Sequence, residues 1–201
     1  MKKIQFLLFL ILLTNCKTLT KMSYGVKNPS FKKNYELYKF LKKNNVDSKS
    51  IYFFKDFITM SKGYELKYST IPDAYFFNQN GNFIPYKNNT EKCNAKVDDF
   101  ITDLKNINFN KSENKNIKDF IPLLSNDKNE VIVLNEITVL ITWATFLGKM
   151  NKQKAFEWIK LLEQAKEKGI KVNYYLINYD LQESWELNND EKKEILNAFK
   201  I

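Results

Sequence analysis

Val139-Leu140-Ile141-Thr142-Trp143-Ala144-Thr145-Phe146-Leu147-Gly148-Lys149-Met150 is the stretch on which the fold turns. It continues an apolar run that begins at Ile137. Its β-branched residues, with no polar alternation, describe a strand buried on both faces, at the centre of a sheet. A helix follows over Asn151–Lys168, where Ala155, Phe156, Ile159, Leu162 and Ala165 or Lys166 recur on one face and Gly169 closes the last turn. Val172–Tyr179 is the next buried strand. Strand, helix and strand in this order predict an α/β layered domain.

Working outward, Val131–Leu134 carries the same strand composition. Upstream, Phe31, Tyr35, Tyr38 and Leu41 lie at helical spacing in residues 31–44 and predict a helix with those four on its core face. Ile51–Phe54 reads as a short buried strand and Asp56–Tyr68 as a helix weakened by Gly63. Ala74–Phe77 and Phe83–Ile84 flank Asn78-Gln79-Asn80-Gly81, and an Asn-Gly turn between aromatic strands predicts a hairpin that Pro85 closes. Val97, Phe100, Ile101 and Leu104 share a face of a further helix. Residues 106–129 are rich in Asn, Lys and Ser and predict a loop, with a helical turn near Ile117–Leu124. Glu191–Phe199 predicts a short terminal helix.

The segment Trp143-Ala144-Thr145-Phe146-Leu147-Gly148-Lys149-Met150, with its preceding strand and following helix, resembles the active-site element of the thioredoxin-like superfamily. Within it, the membrane-tethered thiol-disulfide oxidoreductases of the bacterial envelope are the nearest pattern, with Trp-Ala-Thr-Trp-Cys-Gly-Pro-Cys at this place. Ile71-Pro72-Asp73 and the hairpin after it are similar to the family's proline element, which implies a cis-proline at Pro72 beside the site. The resemblance implies a thioredoxin-like layered sheet with flanking helices. The order departs from the family, because the proline hairpin here precedes the motif by about seventy residues; the sheet is expected to be permuted or rearranged, with two degenerate half-copies or a chance likeness as the alternatives. The chemistry departs as well. The family's two cysteines fall on Leu147 and Met150 and its proline on Lys149, so neither an attacking nor a resolving thiol is present. What carries over is a scaffold whose patch around Phe146–Met150 and Ile71–Pro72 would hold an extended peptide.

At the other end, Lys2 and Lys3 precede an apolar run from Phe6 to Leu13, and Leu13-Thr14-Asn15-Cys16 follows. A basic start and a short apolar core are the marks of a secretory signal, too short to span a bilayer. The ending on Cys16 resembles the lipobox of bacterial lipoproteins. That resemblance implies cleavage before Cys16, acylation of its thiol and new N-terminus, and a membrane-anchored lipoprotein of the cell envelope. No acidic cluster follows Cys16, which leans towards the periplasm-facing side of the outer membrane. The chain then divides into a signal peptide (1–15), a lipidated cysteine with a flexible tether (16–30) and one domain (31–201).

Composition narrows the chemistry. The formal charge is +9, carried by dispersed lysines with no nucleic-acid motif, so anionic headgroups are the expected partner and nucleic acid is not. The chain contains no histidine, which removes serine-histidine and cysteine-histidine catalysis and imidazole metal sites. No cofactor or metal is expected, and the acidic residues Asp98, Asp99 and Asp103 read as a solvated face. Asn88-Asn89-Thr90 and Asn110-Lys111-Ser112 match the glycan-acceptor pattern, which is common by chance in an Asn-rich chain. Cys93, the one cysteine beyond Cys16, precedes a helix and follows Lys92; it is a leftover thiol or a single reactive one. The functional expectation is a lipid-anchored binding or scaffold protein with a protein partner and no enzymatic activity. A single-cysteine redox protein acting through Cys93 and a small immunity or inhibitor lipoprotein are the alternatives.

Overall fold

The computed structural model describes residues 21, 23–85 and 115–199. Ile51–Phe54 (β1), Asp73–Asn78 (β2), Phe83–Ile84 (β3), Leu124–Ser125 (β4), Ile137–Trp143 (β5) and Val172–Asn178 (β6) form one mixed sheet in the order β3-β2-β5-β6-β1-β4. Of the four inner strands, β5, β6 and β1 run parallel, while β2 pairs antiparallel with β5, and the short β3 and β4 pair antiparallel at the edges. Two-residue edge strands leave little free backbone for another chain to pair with.

Helices cover both faces. Asn34–Lys43 (α1) and a long helix α4 lie on one side; α4 comprises Lys149–Asn151, a π-helical stretch Lys152–Phe156 and Glu157–Glu167. Phe57–Glu65 (α2), Ile117–Phe120 (α3) and Asn189–Ala198 (α5) lie on the other. Strand alternation divides the core accordingly. Ile51, Phe53, Ala74, Phe76, Val139, Ile141 and Trp143 face α1 and α4, whereas Tyr52, Phe54, Tyr75, Phe77, Leu140 and Ile177 face α2, α3 and α5. Each large apolar side chain so buried contributes about 1.5–3 kcal/mol relative to exposure, which is why a sheet covered on both faces reads as an unbroken apolar run. Asp56 caps α2 by accepting from the backbone N–H of Thr59 at 2.6 Å, and Asn188 caps α5 by accepting from Asp190 and Glu191.

The fold is α/β with a thioredoxin-like layout. The strand ending at Trp143 is central, its helix returns to the parallel neighbour β6, and the proline hairpin pairs on the other side. Chain order is rearranged, since β1, β2 and β3 all come before β5. The turn at Gly81 is made as the Asn-Gly pair predicts, with φ +84° at the glycine and the Asn78 side chain accepting from the N–H groups of Asn80 and Asn82.

Several expectations are corrected. Val131–Leu134 is not a strand: Ile132 is buried and Leu134 half-buried against the core, Val131 and Val133 are exposed, and the Val133 backbone is tied to the Tyr175 hydroxyl and the Asn173 amide instead of a ladder. The core face of α1 is Leu37 and Leu41, while Tyr35 is 66% exposed and Phe31 lies before the helix. Within 106–129, the described residues form more than a loop, because Ile117 and Phe120 are fully buried and Leu124–Ser125 pairs with β1. Residues 24–32, which overlap the tether expected over 16–30, run across the C-terminal end of the sheet, where the Lys27 N–H donates to Phe146 O at 2.8 Å and the Lys32 N–H to Leu181 O at 2.7 Å. Cys16, Cys93, the segment Val97–Leu104 with its acidic residues, and both glycan-like triplets lie outside the described residues.

Candidate functional site

The turn after β5 is fixed from beneath by two buried polar side chains. Asn151, fully buried, reaches back along the first turn of α4: its amide donates to the carbonyls of Ala144 (2.7 Å) and Gly148 (3.2 Å), and its oxygen accepts from the Ala144 N–H at 3.2 Å. Asp180, just past β6, is 1% exposed. It accepts from the Thr145 N–H and the Thr145 hydroxyl, both at 2.7 Å, and from the Asn178 amide at 2.8 Å. Gln182 completes the group, donating to Asn178 Oδ1 and to the Asp180 carbonyl. Burial pushes the Asp180 carboxyl above its ordinary value; the donors from Thr145 and Asn178 and the charge of Lys32 pull the other way without cancelling it.

The motif residues divide by exposure. Trp143 is fully buried and its ring stacks on Phe40 at 5.8 Å, and Ala144 is fully buried beside it. Thr145 and Phe146 are half-buried. Leu147, at the first lost cysteine position, is 8% exposed; Met150, at the second, is half-buried against the α2–α5 core; Lys149 is exposed. Gly148 has φ +54°, a conformation that costs any other residue, and a side chain there would collide with the carbonyls of Tyr24 and Gly25, the latter at 2.6 Å. The strap of residues 24–27 therefore lies directly on the turn.

The proline loop arrives from the other side. The Ile71–Pro72 bond is cis, Pro72 is buried, and the next residue, Asp73, is in register with Thr142. The Thr142 hydroxyl donates to Thr70 O at 2.8 Å and accepts from the Asp73 N–H at 2.9 Å, pinning the loop to the motif strand. The structure thus brings Trp143–Met150 and Pro72 to the same end of the same two strands. It leaves their surface covered rather than open.

The site as described contains no thiol and no imidazole; its buried carboxylate, Asp180, already has three donors, and Asp73 accepts from the Ala74 N–H. No cluster of potential metal ligands occurs among the described residues. Sequence reasoning placed the turn but none of the side chains that hold it, Thr142, Asn151 and Asp180, and not the strap. Asn151 carries a signal in retrospect: a polar residue on the inward side of a helix whose other inward positions are apolar. Residues 24–32 carry little, since the hydrogen bonds that hold them, from the Lys27 and Lys32 N–H groups, are made by backbone atoms.

No family model matches the chain, and no curated protein or solved structure does either.

Proposed function

We propose that this chain is a lipid-anchored protein of the bacterial cell envelope whose thioredoxin-like body binds or scaffolds a protein partner and does not exchange disulfides. The observation that carries the reading is the closed turn: leucine and methionine stand at the positions of the dithiol, and the chain's own residues 24–27 lie over Gly148. Thiol exchange needs an accessible thiolate, and this turn offers neither a thiol nor access. A partner at the motif would have to displace the strap, so the partner surface lies elsewhere on the body. The exposed pair Val131 (72%) and Val133 (62%) is the candidate contact point. Attachment to the membrane is through Cys16, as the lipobox resemblance implies.

The test is insulin-disulfide reduction by the wild type and by Leu147→Cys/Met150→Cys, each with and without Lys27→Pro, which removes the strap's donor to Phe146. The wild type should be inert. The double-cysteine protein should gain activity, and more of it when the strap is loosened. Turnover by the wild type would overturn the non-redox reading, and a folded, inert double-cysteine protein would overturn the thioredoxin-like site. Photo-crosslinking in intact cells from position 131, compared with exposed Glu167, tests the partner surface; identical products from both positions count against it.

A further inference from the structure

We infer that the quarter of the molecule around the strap, presenting Lys27, Lys149 and Lys152, rests on an anionic lipid surface, so that the body is oriented on the membrane and not merely tied to it. The inference builds on the lipid anchor at Cys16. The strap decides the geometry. The Val26 N–H donates to Lys21 O and the Lys27 N–H to Phe146 O, so the chain leaves the body at the motif end of the parallel strands. Lys21 is five positions after Cys16, and a fully extended chain over that span reaches roughly 18 Å at most. An acylated Cys16 therefore holds this end, and no other, near the headgroups.

The charge at that end suits an anionic surface. Residues 21–35 hold Lys21, Lys27, Lys32 and Lys33, and residues 143–156 hold Lys149, Lys152 and Lys154, with no Asp or Glu in either stretch. Lys27, Lys149 and Lys152 are exposed, and among the described residues no ion pair holds them. Four carboxylates nearby are engaged, and Glu157, the residue after the second stretch, is exposed. Asp180 is buried on Thr145 and Asn178, Asp73 accepts from the Ala74 N–H, Glu36 pairs with Lys32 and Glu183 with Lys192. At the opposite end of the strands Lys49, Lys166 and Lys171 pair with Asp47, Glu163 and Glu136. Each free lysine close to an anionic bilayer strengthens attachment about fivefold, and salt weakens it.

Lysine acetylation footprinting by mass spectrometry tests this on the processed full chain, mixed with vesicles of phosphatidylcholine alone or with about one-third phosphatidylglycerol. The chain should float with both. On the anionic vesicles labelling of Lys27, Lys149 and Lys152 should fall about fivefold or more and recover in about 0.5 M salt, while exposed Lys39 and Lys42 on α1 are labelled as before. Lys149→Glu/Lys152→Glu, at two exposed positions, should keep the fold and lose the protection of Lys27. Flotation with no anion-dependent protection, or equal protection of Lys39 and Lys42, overturns the oriented face and leaves the anchor standing. Protection at the three lysines without flotation on neutral vesicles overturns the anchor and keeps the face.

Discussion

The two ends of the parallel strands are built on opposite principles. At the end where β5 and β6 finish, polar side chains are buried and committed: Asn151, Asn178, Asp180 and Gln182 are each at most 2% exposed and hold one turn in place. At the end where they begin, the charged groups are paired and in water, as in Lys171–Glu136 at 3.0 Å with both side chains more than half exposed. Buried polar groups cost much when a partner is removed, because the survivors are left without water; exposed pairs cost little, because water replaces the partner. The first end therefore specifies a geometry and the second keeps the molecule soluble, and substitutions at the two should differ several-fold in effect.

Asp180→Ala should show the largest effect. It strands the Thr145 N–H, the Thr145 hydroxyl and the Asn178 amide in a dry site, for about 3 kcal/mol or more in urea unfolding. A loss below about 1 kcal/mol would erase the contrast between the ends. Asp180 also sets a pH dependence. Its folded-state pKa lies above the ordinary 3.8 because burial disfavours the charge. The native state therefore holds this proton where the unfolded chain has released it. The contribution is complete below about 3.8 and is lost as pH rises through the folded value. The stability difference between wild type and Asp180→Asn should thus shrink with rising pH across that window; a difference that grows would show that the donors outweigh burial.

Asn151→Ala comes next, at about 2 kcal/mol, since it frees two carbonyls and one N–H of the turn at once. Gly148→Ala should cost about 1–2 kcal/mol from its positive φ alone. It should also lift the strap. Hydrogen exchange at the Lys27 amide separates the two variants: it should accelerate strongly in Gly148→Ala, where the side chain strikes Tyr24 and Gly25. Unchanged protection there would mean that the strap does not rest on the turn.

The contrast between the ends also explains what could be read in the sequence. The β5-α4-β6 unit is legible because a strand buried on both faces is an unbroken apolar run and α4 keeps a regular stripe. The Asn80-Gly81 hairpin is legible because its turn chemistry is local. Val131–Leu134 misleads because strand composition is the same whether a segment finds a ladder or is held by the side chains of Tyr175 and Asn173. Tyr35 misleads because an aromatic at the right spacing says nothing about which of two adjacent helix faces meets the sheet. The turn was visible through Trp143 and Gly148; what holds it was not, since Thr142, Asn151 and Asp180 act through hydrogen bonds to groups distant in the chain. The strap lies furthest from sequence signals, because its bonds run between backbone atoms that every residue possesses.

The smallest effect is expected at the charged end. Lys171→Ala removes one half of a pair whose side chains are 69% and 57% exposed. Screening and the entropy of two long side chains leave such a pair worth a few tenths of a kcal/mol, so the midpoint of unfolding should move by less than about 0.5 kcal/mol in stability. Adding about 0.5 M salt to the wild type should reproduce much of that shift and add little to the variant. A larger loss that salt does not mimic would mean that the Lys171 stem, which follows half-buried Ile170 into β6, contributes packing rather than charge. The starting end of the strands would then share the committed character of the finishing end.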